Sequence, residues 1–279
     1  MSSHKYIAHL LAAFLTLTLA IGCDANDETI GQPADRGESR HFVLVHGAWM
    51  GAWAWNDVAS ELTRNGQKVT AIDLPAHGDD ATVASDATLA GYVQRVDQAI
   101  AAAGAPVILV GHSMAGMVIS QVAEQHPEDI AALVYVAAYL PQNDQSLLDL
   151  AYQDQDAITG QHLEFHADGT AAVTGDAVDD VFCADCSPAV LAGLLARTRP
   201  EPAHPLEEKV VLTQERFGSV ARAYIKTLQD RAVSPALQAL MLAATPADVT
   251  LELDTSHSPL LSAPIPLTRA ILEAASKLD

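Results

Sequence analysis

Residues 107–116 read Val-Ile-Leu-Val-Gly-His-Ser-Met-Ala-Gly, an apolar run followed by a turn of small residues around one serine. The apolar run from Pro106 to Val110 predicts a buried strand, and Met114 to Gln125 predicts a helix of small residues directly after it. A sharp strand-to-helix turn of this kind is typical of a nucleophile elbow, which exposes a serine hydroxyl above a sheet. The stretch therefore predicts that Ser113 is a catalytic nucleophile.

The same glycine spacing permits other interpretations. A P-loop requires Lys followed by Ser or Thr where this chain has Met117-Val118, so phosphate binding is not indicated. A dinucleotide-binding Gly-x-Gly-x-x-Gly pattern is broken by His112-Ser113. A serine in an ordinary glycine-rich turn is the remaining structural alternative.

Apolar runs and helical patterns alternate on both sides of this stretch. The other predicted strands are Phe42–Val45, Lys68–Leu74, Ile130–Ala138, Val220–Leu228 and Val249–Leu253. The other predicted helices are Trp53–Asn65, Leu89–Ala103, Pro235–Ala244 and Pro264–Leu278. Continuous apolar strands that alternate with helices predict an α/β fold, with a mostly parallel central sheet covered by helices on both faces. The polar, irregular and partly helical block from about 142 to 218 predicts a cap over that sheet.

Composition limits the classes of protein. The 279 residues are 49% hydrophobic and 18% charged, with a formal net charge of −20. So acidic a chain has no basic face for phosphates, which argues against a nucleic-acid partner. The apolar content excludes disorder for most of the chain. We expect one α/β domain over residues 41–279.

The first 40 residues are predicted to lie outside that domain. Residues 1–23 have the pattern of a signal peptide and end in Ala20-Ile21-Gly22-Cys23, which resembles a bacterial lipoprotein box. We expect Cys23 to be lipidated, with ordinary secretion and an uncleaved anchor as alternatives. Residues 24–40 are acidic and contain Gly, Pro and Ser, as in a flexible tether. The protein is therefore expected to be exported and anchored in the cell envelope.

A serine nucleophile needs a base and a carboxylate that orients the base. His257 follows the strand pattern 249–253 and is the predicted base, while a histidine in a solvent-exposed loop is the alternative. Asp230 lies between Ser113 and His257 in the chain and is the predicted carboxylate, with Asp144 and Asp254 as competitors. The chain order Ser, Asp, His is the one used by α/β-hydrolases.

The developing oxyanion needs two backbone N–H donors. Met114, the residue after the nucleophile, is predicted to supply one. Ala48, in the turn after the first strand, is predicted to supply the other. This chemistry needs no metal or organic cofactor.

Cys183 and Cys186 form a Cys-x-x-Cys pair. A zinc site would need a second ligand pair, and the neighbouring sequence has none. A local disulfide and two buried thiols both remain open.

Several motifs together resemble the α/β-hydrolase superfamily, in the branch of plant methylesterases, hydroxynitrile lyases and bacterial pyrethroid-hydrolase-like esterases. They are His46-Gly47-Ala48-Trp49, Gly51-Ala52-Trp53, the hexapeptide 111–116, Thr227 to Val233, Asp185-Cys186-Ser187-Pro188 and the pentapeptide 254–258. The resemblance spans about Arg40 to Lys277. It implies an α/β-hydrolase fold with the cap inserted after the sixth strand. It also implies Ser113, Asp230 and His257 as the triad, and Ala48 and Met114 as the oxyanion donors.

The resemblance also separates two chemistries. The lyases of this branch carry Thr after the first-strand histidine and Lys after the catalytic histidine, where this chain has Gly47 and Ser258. The expected function is therefore that of a serine carboxylesterase acting on a small-molecule ester. A non-catalytic ligand binder is the alternative, and a hydroxynitrile lyase-type activity is the less favoured one.

Overall fold

The computed structural model describes residues 39–104, 106–174 and 177–278 and has nine strands within them. Within these residues the strands are β1 (His41–Val45), β2 (Lys68–Ile72), β3 (Val107–His112), β4 (Ile130–Val136), β5 (Leu163–Phe165), β6 (Thr170–Val173), β7 (Glu201–Pro202), β8 (Arg222–Thr227) and β9 (Val249–Leu253). Six of them form the central sheet in the order β2-β1-β3-β4-β8-β9. Every pairing in this sheet is parallel. The predicted mostly parallel sheet is confirmed.

Helices connect the strands. In the described part of the chain they are α1 (Asn56–Arg64), α2 (Leu89–Ala103), α3 (Ala115–Gln125), α4 (Leu147–Ala151), α5 (Val178–Phe182), α6 (Pro188–Leu195), α7 (His204–Glu207), α8 (Pro235–Ala244), α9 (Pro259–Ser262) and α10 (Pro264–Lys277). A 3-10 turn, Ala52–Trp55, precedes α1. Caps fix several of the ends: the Thr88 side chain accepts from the Gly91 N–H at the start of α2, and Gly104 ends that helix with φ 74°.

The two faces of the sheet pack against different helices. Along β1, Val43 and Val45 belong to one buried cluster, while Phe42 and Leu44 belong to the other. This alternation follows from the period of two along a strand. The first cluster takes in residues of α2, α3 and α8, and the second takes in residues of α1 and α10. Helices cover both faces, as the apolar strands predicted.

Strand order brings two loops of the predicted site together. The chain runs from β1 to β2 on one side and then returns to β3 on the other side of β1. Such a reversal leaves a crevice at the carboxyl ends of the two strands, where ligands bind in open α/β sheets. Val45 of β1 is paired with Gly111 of β3, so the turns that follow them are neighbours.

The cap between β4 and β8 contains a small antiparallel sheet in the order β5-β6-β7. The block is partly helical, as expected, with α4, α5, α6 and α7, but this small sheet was not predicted. Asp168 and Gly169 lie in the turn between β5 and β6, and Gly169 has φ 79°. The cap follows the fourth strand, not the sixth, because only four strands of the central sheet precede it in the described residues.

The predicted signal peptide, Cys23 and residues 24–38 of the predicted tether lie outside the described residues. Among the helices that are described, none is long and apolar enough to cross a bilayer.

Gly116 permits the closest backbone approach at the elbow. A Cβ at this position would lie 1.9 Å from the carbonyl oxygen of Tyr139, which is a backbone atom and cannot move aside. The helix therefore sits against the chain that leaves β4, and this contact fixes the direction in which α3 departs from Ser113.

We expect Gly116→Ala to lower the free energy of unfolding by about 3 kcal/mol or more, because the new methyl group overpacks the contact with Tyr139. Denaturant unfolding followed by circular dichroism measures the change. Gly193→Ala is the control: it also lies in a helix, and its nearest neighbour is the tip of Arg197 at 4.0 Å. That variant should gain about 0.5–1 kcal/mol from helix propensity. Equal stabilities for the two variants would contradict the packing argument.

Candidate active site

Ser113 lies in a strained turn between β3 and α3. Its φ is 55°, in the left-handed region that residues other than glycine rarely adopt. Ser113 is only 8% exposed. Small neighbours make the turn possible, since a Cβ at Gly111 would lie 2.9 Å from the Ile119 side chain. The Ser113 N–H donates to the carbonyl of Val136 at 3.2 Å, so the turn is also tied to the end of β4.

His257 is within hydrogen-bonding distance of Ser113. The distance from His257 Nε2 to Ser113 Oγ is 2.9 Å. His257 follows β9, which lies three strand spacings, about 14 Å, from β3, so its loop must reach back across the sheet. The ring nitrogen Nε2 of His112 donates to the His257 carbonyl at 2.9 Å and holds the loop there.

Asp230 faces the other nitrogen of the His257 ring. Its Oδ2 lies 2.8 Å from Nδ1, and both side chains are buried. The N–H groups of Ala232 and Val233 donate to Oδ1 at 2.8 and 2.9 Å, and the Thr227 hydroxyl donates to Oδ2 at 2.8 Å. With the carboxylate acting as acceptor, Nδ1 carries the proton and Nε2 is left free to accept the serine proton.

The two competing carboxylates lie elsewhere. The Asp144 side chain is exposed, and its nearest cation is Lys209 at 3.5 Å. Asp254 accepts from the side-chain amide of Gln229 at 2.7 Å. The structure thus brings Ser113, His257 and Asp230 together and leaves Asp144 and Asp254 outside the group.

Two further residues support this arrangement, and the sequence analysis assigned a role to neither. Asp185, in the cap, accepts from the N–H of Ser256 at 3.1 Å, from its hydroxyl, and from the Ser262 hydroxyl at 3.1 Å. It therefore anchors the loop that carries His257. Gln238 of α8 donates to the Val233 carbonyl at 2.8 Å and accepts from the Thr227 N–H at 3.1 Å, which braces the turn around Asp230. Asp185 lies 71 positions from Ser256 in the chain, so no local sequence pattern indicates this contact.

Cys183 and Cys186, on either side of Asp185, are joined by a disulfide with 5.1 Å between their Cα atoms. This separation lies within the ordinary range for a disulfide. Of the two alternatives left open by the sequence, the structure has the local disulfide. Phe182, directly before the bridge, packs near the His257 ring at 6.0 Å between centroids.

Two other buried histidines near the site are neutral. Burial, followed by the nearby His257, holds the pKa of His112 well below its usual value. Burial, followed by the charge of His77, lowers the pKa of His46 to about 3. His46 Nε2 accepts the N–H of Leu74 at 3.1 Å. Both rings act as structural hydrogen-bonding groups rather than as bases.

The predicted oxyanion donors line one cavity with the nucleophile. Ala48, Ser113 and Met114 all border a cavity of about 410 Å³ beneath the cap. No protein acceptor within the described residues takes the backbone N–H of Ala48 or Met114. Both donors are therefore available to a ligand. A larger depression of about 620 Å³, near Arg222 at the amino end of β8, contains none of these groups.

The cavity wall is mainly apolar. Its cap side includes Leu147, Leu148, Ala151, Leu163, Phe165, Phe182 and Leu206. Among the described residues, Asp154 is the one acidic residue in the lining. Its carboxylate already accepts from the N–H of Ser234 at 2.8 Å and from its hydroxyl at 2.5 Å. The cavity therefore suits uncharged, apolar groups.

One group of side chains in the described residues has metal-ligand geometry. Ligand atoms of His126, Glu128 and Asp129 lie within 4.8 Å of one another. They lie at the end of α3 opposite Ser113 and do not border the cavity. They are therefore no part of the candidate active site.

The chain is similar to known proteins over most of its length. Residues 42–270 match the alpha/beta hydrolase family. Salicylic acid-binding protein 2 of Nicotiana tabacum is 32% identical over 258 residues, covering 87% of this chain and 99% of that protein. A chloroplastic protein of Arabidopsis thaliana, numbered 15 among the methylesterases, is 34% identical over 251 residues, covering 85% of this chain. This chain spans only 56% of the length of that relative.

A solved structure gives the same fold. Polyneuridine aldehyde esterase superposes with a TM-score of 0.78 at 27% identity, covering 85% of this chain and 99% of that one. The expected resemblance to the plant methylesterase branch is confirmed by these matches.

We expect Asp230→Asn to slow the labelling of Ser113 by a fluorophosphonate by about 10⁴-fold, the order of loss seen when a triad carboxylate becomes an amide. The amide can donate to Nδ1, which favours the wrong tautomer of His257. The rate is measured by the mass of the labelled protein against time. Asp144→Asn is the matched control and should label at the wild-type rate. If Asp144→Asn is the slow variant, the assignment of the carboxylate is wrong.

Proposed function

This chain belongs to the alpha/beta hydrolase family, and from that premise we propose that it is a serine carboxylesterase. It hydrolyses small to medium-sized carboxylic esters through an acyl-enzyme intermediate. The observation that carries the proposal is the continuous hydrogen-bonded line from Ser113 Oγ through His257 to Asp230, with distances of 2.9 and 2.8 Å. Ser113, at one end of this chain of hydrogen bonds, borders an apolar cavity together with Ala48 and Met114, whose N–H groups are free.

The geometry supports a two-stage reaction. In the first stage His257 Nε2 takes the proton of Ser113 as Oγ attacks the ester carbonyl, and the Asp230 carboxylate stabilises the imidazolium that forms. The N–H groups of Ala48 and Met114 stabilise the oxyanion of the tetrahedral intermediate. His257 then gives its proton to the leaving alcohol, and an acyl group remains on Ser113.

Water completes the reaction in the second stage. His257 takes a proton from a water molecule that attacks the acyl carbonyl, and the same two N–H groups stabilise the second oxyanion. Collapse returns the proton to Ser113 Oγ and releases the carboxylic acid. The chain's own residues supply every proton transfer in this scheme.

The cavity and the relatives support an ester as substrate. The mainly apolar wall and a volume of about 410 Å³ suit the uncharged arms of an ester of modest size. The relatives include proteins named for methylesterase activity, and a structural neighbour is named an esterase.

The lyase alternative is disfavoured by the space around residue 47. A Cβ at Gly47 would lie 2.8 Å from the Cβ of Ser113 and 2.8 Å from the ring of His112. A threonine of the kind that the lyases carry there does not fit without rearrangement of the elbow. The position after His257 is Ser258, which is buried and carries no charge.

We expect the wild-type protein to hydrolyse p-nitrophenyl acetate and butyrate, and Ser113→Ala to lower kcat by about 10⁴-fold or more. Release of p-nitrophenolate measures the rate. Ser219→Ala, an exposed serine whose hydroxyl donates to the Arg216 carbonyl, is the control and should match the wild type. Hydrolysis by Ser113→Ala at the wild-type rate would contradict the role of Ser113, and no hydrolysis by either protein would leave the non-catalytic binder as the better interpretation.

For the amino-terminal residues we propose export by a lipoprotein-type signal peptide and lipidation of Cys23, which would anchor the domain at the cell envelope. The support is the sequence pattern of residues 1–23 alone. The full chain expressed in bacteria should incorporate labelled palmitate and fractionate with membranes, whereas Cys23→Ser should do neither. Incorporation that persists in Cys23→Ser, or a wild-type chain without label, would contradict this proposal.

A further inference from the structure

A buried ion pair joins the body of the protein to the cap. His77 lies in the turn after β2, and Glu201 lies on β7 of the cap. Their side chains approach to 2.7 Å between His77 Nε2 and Glu201 Oε2, and both are fully buried. The two residues are 124 positions apart in the chain and belong to none of the groups that perform the proposed reaction.

The hydrogen bonds of His77 require a charged ring. Nδ1 faces the Pro75 carbonyl oxygen at 2.9 Å, and Nε2 faces the Glu201 carboxylate. Both partners are acceptors, so each ring nitrogen must carry a proton. Burial by itself lowers the pKa of His77, but the charge and hydrogen bond of Glu201 outweigh burial and raise that pKa above its usual value.

The same carboxylate oxygen also holds the oxyanion turn. Glu201 Oε2 accepts the backbone N–H of Trp49 at 2.7 Å. Trp49 directly follows Ala48 and has φ 61°, a conformation that a tryptophan adopts only under constraint. A second bond from the cap, from the Arg199 N–H to the Trp49 carbonyl at 3.1 Å, holds the other side of the residue.

We propose that Glu201 and His77 are positioning residues for the oxyanion hole. Their ion pair fixes the strained Ala48–Trp49 peptide. This peptide in turn directs the Ala48 N–H toward the substrate carbonyl. This inference rests on the proposed esterase function. It makes catalysis depend on a charged histidine other than His257.

The groups around His77 set the expected pH dependence. From the neighbouring elements, Glu201 on β7 favours its charge and Arg199 of the cap opposes it. His46, whose ring centroid is 4.9 Å away, is neutral, and Tyr92 of α2 packs edge-on at 5.6 Å. Because the folded-state pKa of His77 is raised, the charge on its ring, and with it the ion pair, is lost as the pH rises through that pKa.

The test compares two glutamates that both connect the cap to a backbone N–H of the body. Glu201→Gln removes the charge while keeping the side-chain shape. Glu208→Gln is the matched control, because Glu208 accepts the N–H of Leu89 at 2.5 Å, outside the oxyanion turn. We expect Glu201→Gln to lower kcat for p-nitrophenyl butyrate about 10- to 100-fold with KM within twofold, and Glu208→Gln to stay within twofold of wild type in both. Equal losses in the two variants would mean general loosening of the cap and would overturn the proposal.

A second measurement uses the unaltered protein and does not need the variant to fold. Nuclear magnetic resonance of the histidine rings should show His77 protonated on both nitrogens at pH 7, and kcat should fall at alkaline pH with the midpoint of His77. A neutral His77 at pH 7, or a titration that leaves kcat unchanged, would overturn the inference.

Failure of the proposed function can be distinguished from failure of this inference. If the wild type hydrolyses no ester, the proposed function fails. The His77 titration and the rate of fluorophosphonate labelling in Glu201→Gln still decide this inference.

Discussion

The backbone of Ser113 is the constraint on which the rest of the site depends. A left-handed conformation at a serine costs on the order of 1–3 kcal/mol and persists only where the surroundings enforce it. Here a buried parallel strand fixes one side of the turn, and α3, pressed against the Tyr139 carbonyl through Gly116, fixes the other. The result is a hydroxyl held at the carboxyl edge of the sheet, where the loops after β1, β8 and β9 can all reach it.

Several loops must then converge on that hydroxyl, and each is secured by polar contacts of its own. His112 and Asp185 hold the loop of His257, Thr227 and Gln238 brace Asp230, and Glu201 holds the turn after Ala48. Two of these supports, Asp185 and Glu201, come from the cap. The cap therefore does more than cover the cavity, because its carboxylates bind the backbone next to His257 and next to Ala48.

The sequence predicted the sheet and three residues that the structure brings together, but it did not predict the internal structure of the cap. Apolar runs such as Val107–Val110 predict strands without knowledge of their partners, and a serine in a tight turn demands a base and a carboxylate in a familiar chain order. Asp168-Gly169 is a hairpin signal, but β5 and β6 have only three and four residues, which is too short for an apolar alternation to indicate strands. The pairing of His77 with Glu201 has no local signature, since it arises only when the cap folds onto the body.

The proposed reaction requires a covalent acyl-enzyme on Ser113, which rapid-quench mass spectrometry can detect. The protein is mixed with p-nitrophenyl butyrate and quenched in acid within the first turnovers. The mass of the intact protein is then measured before digestion. We expect a mass increase of one butyryl group, carried by the peptide that contains Ser113. An adduct on another residue, or rapid turnover without any acylated protein at any quench time, would contradict it.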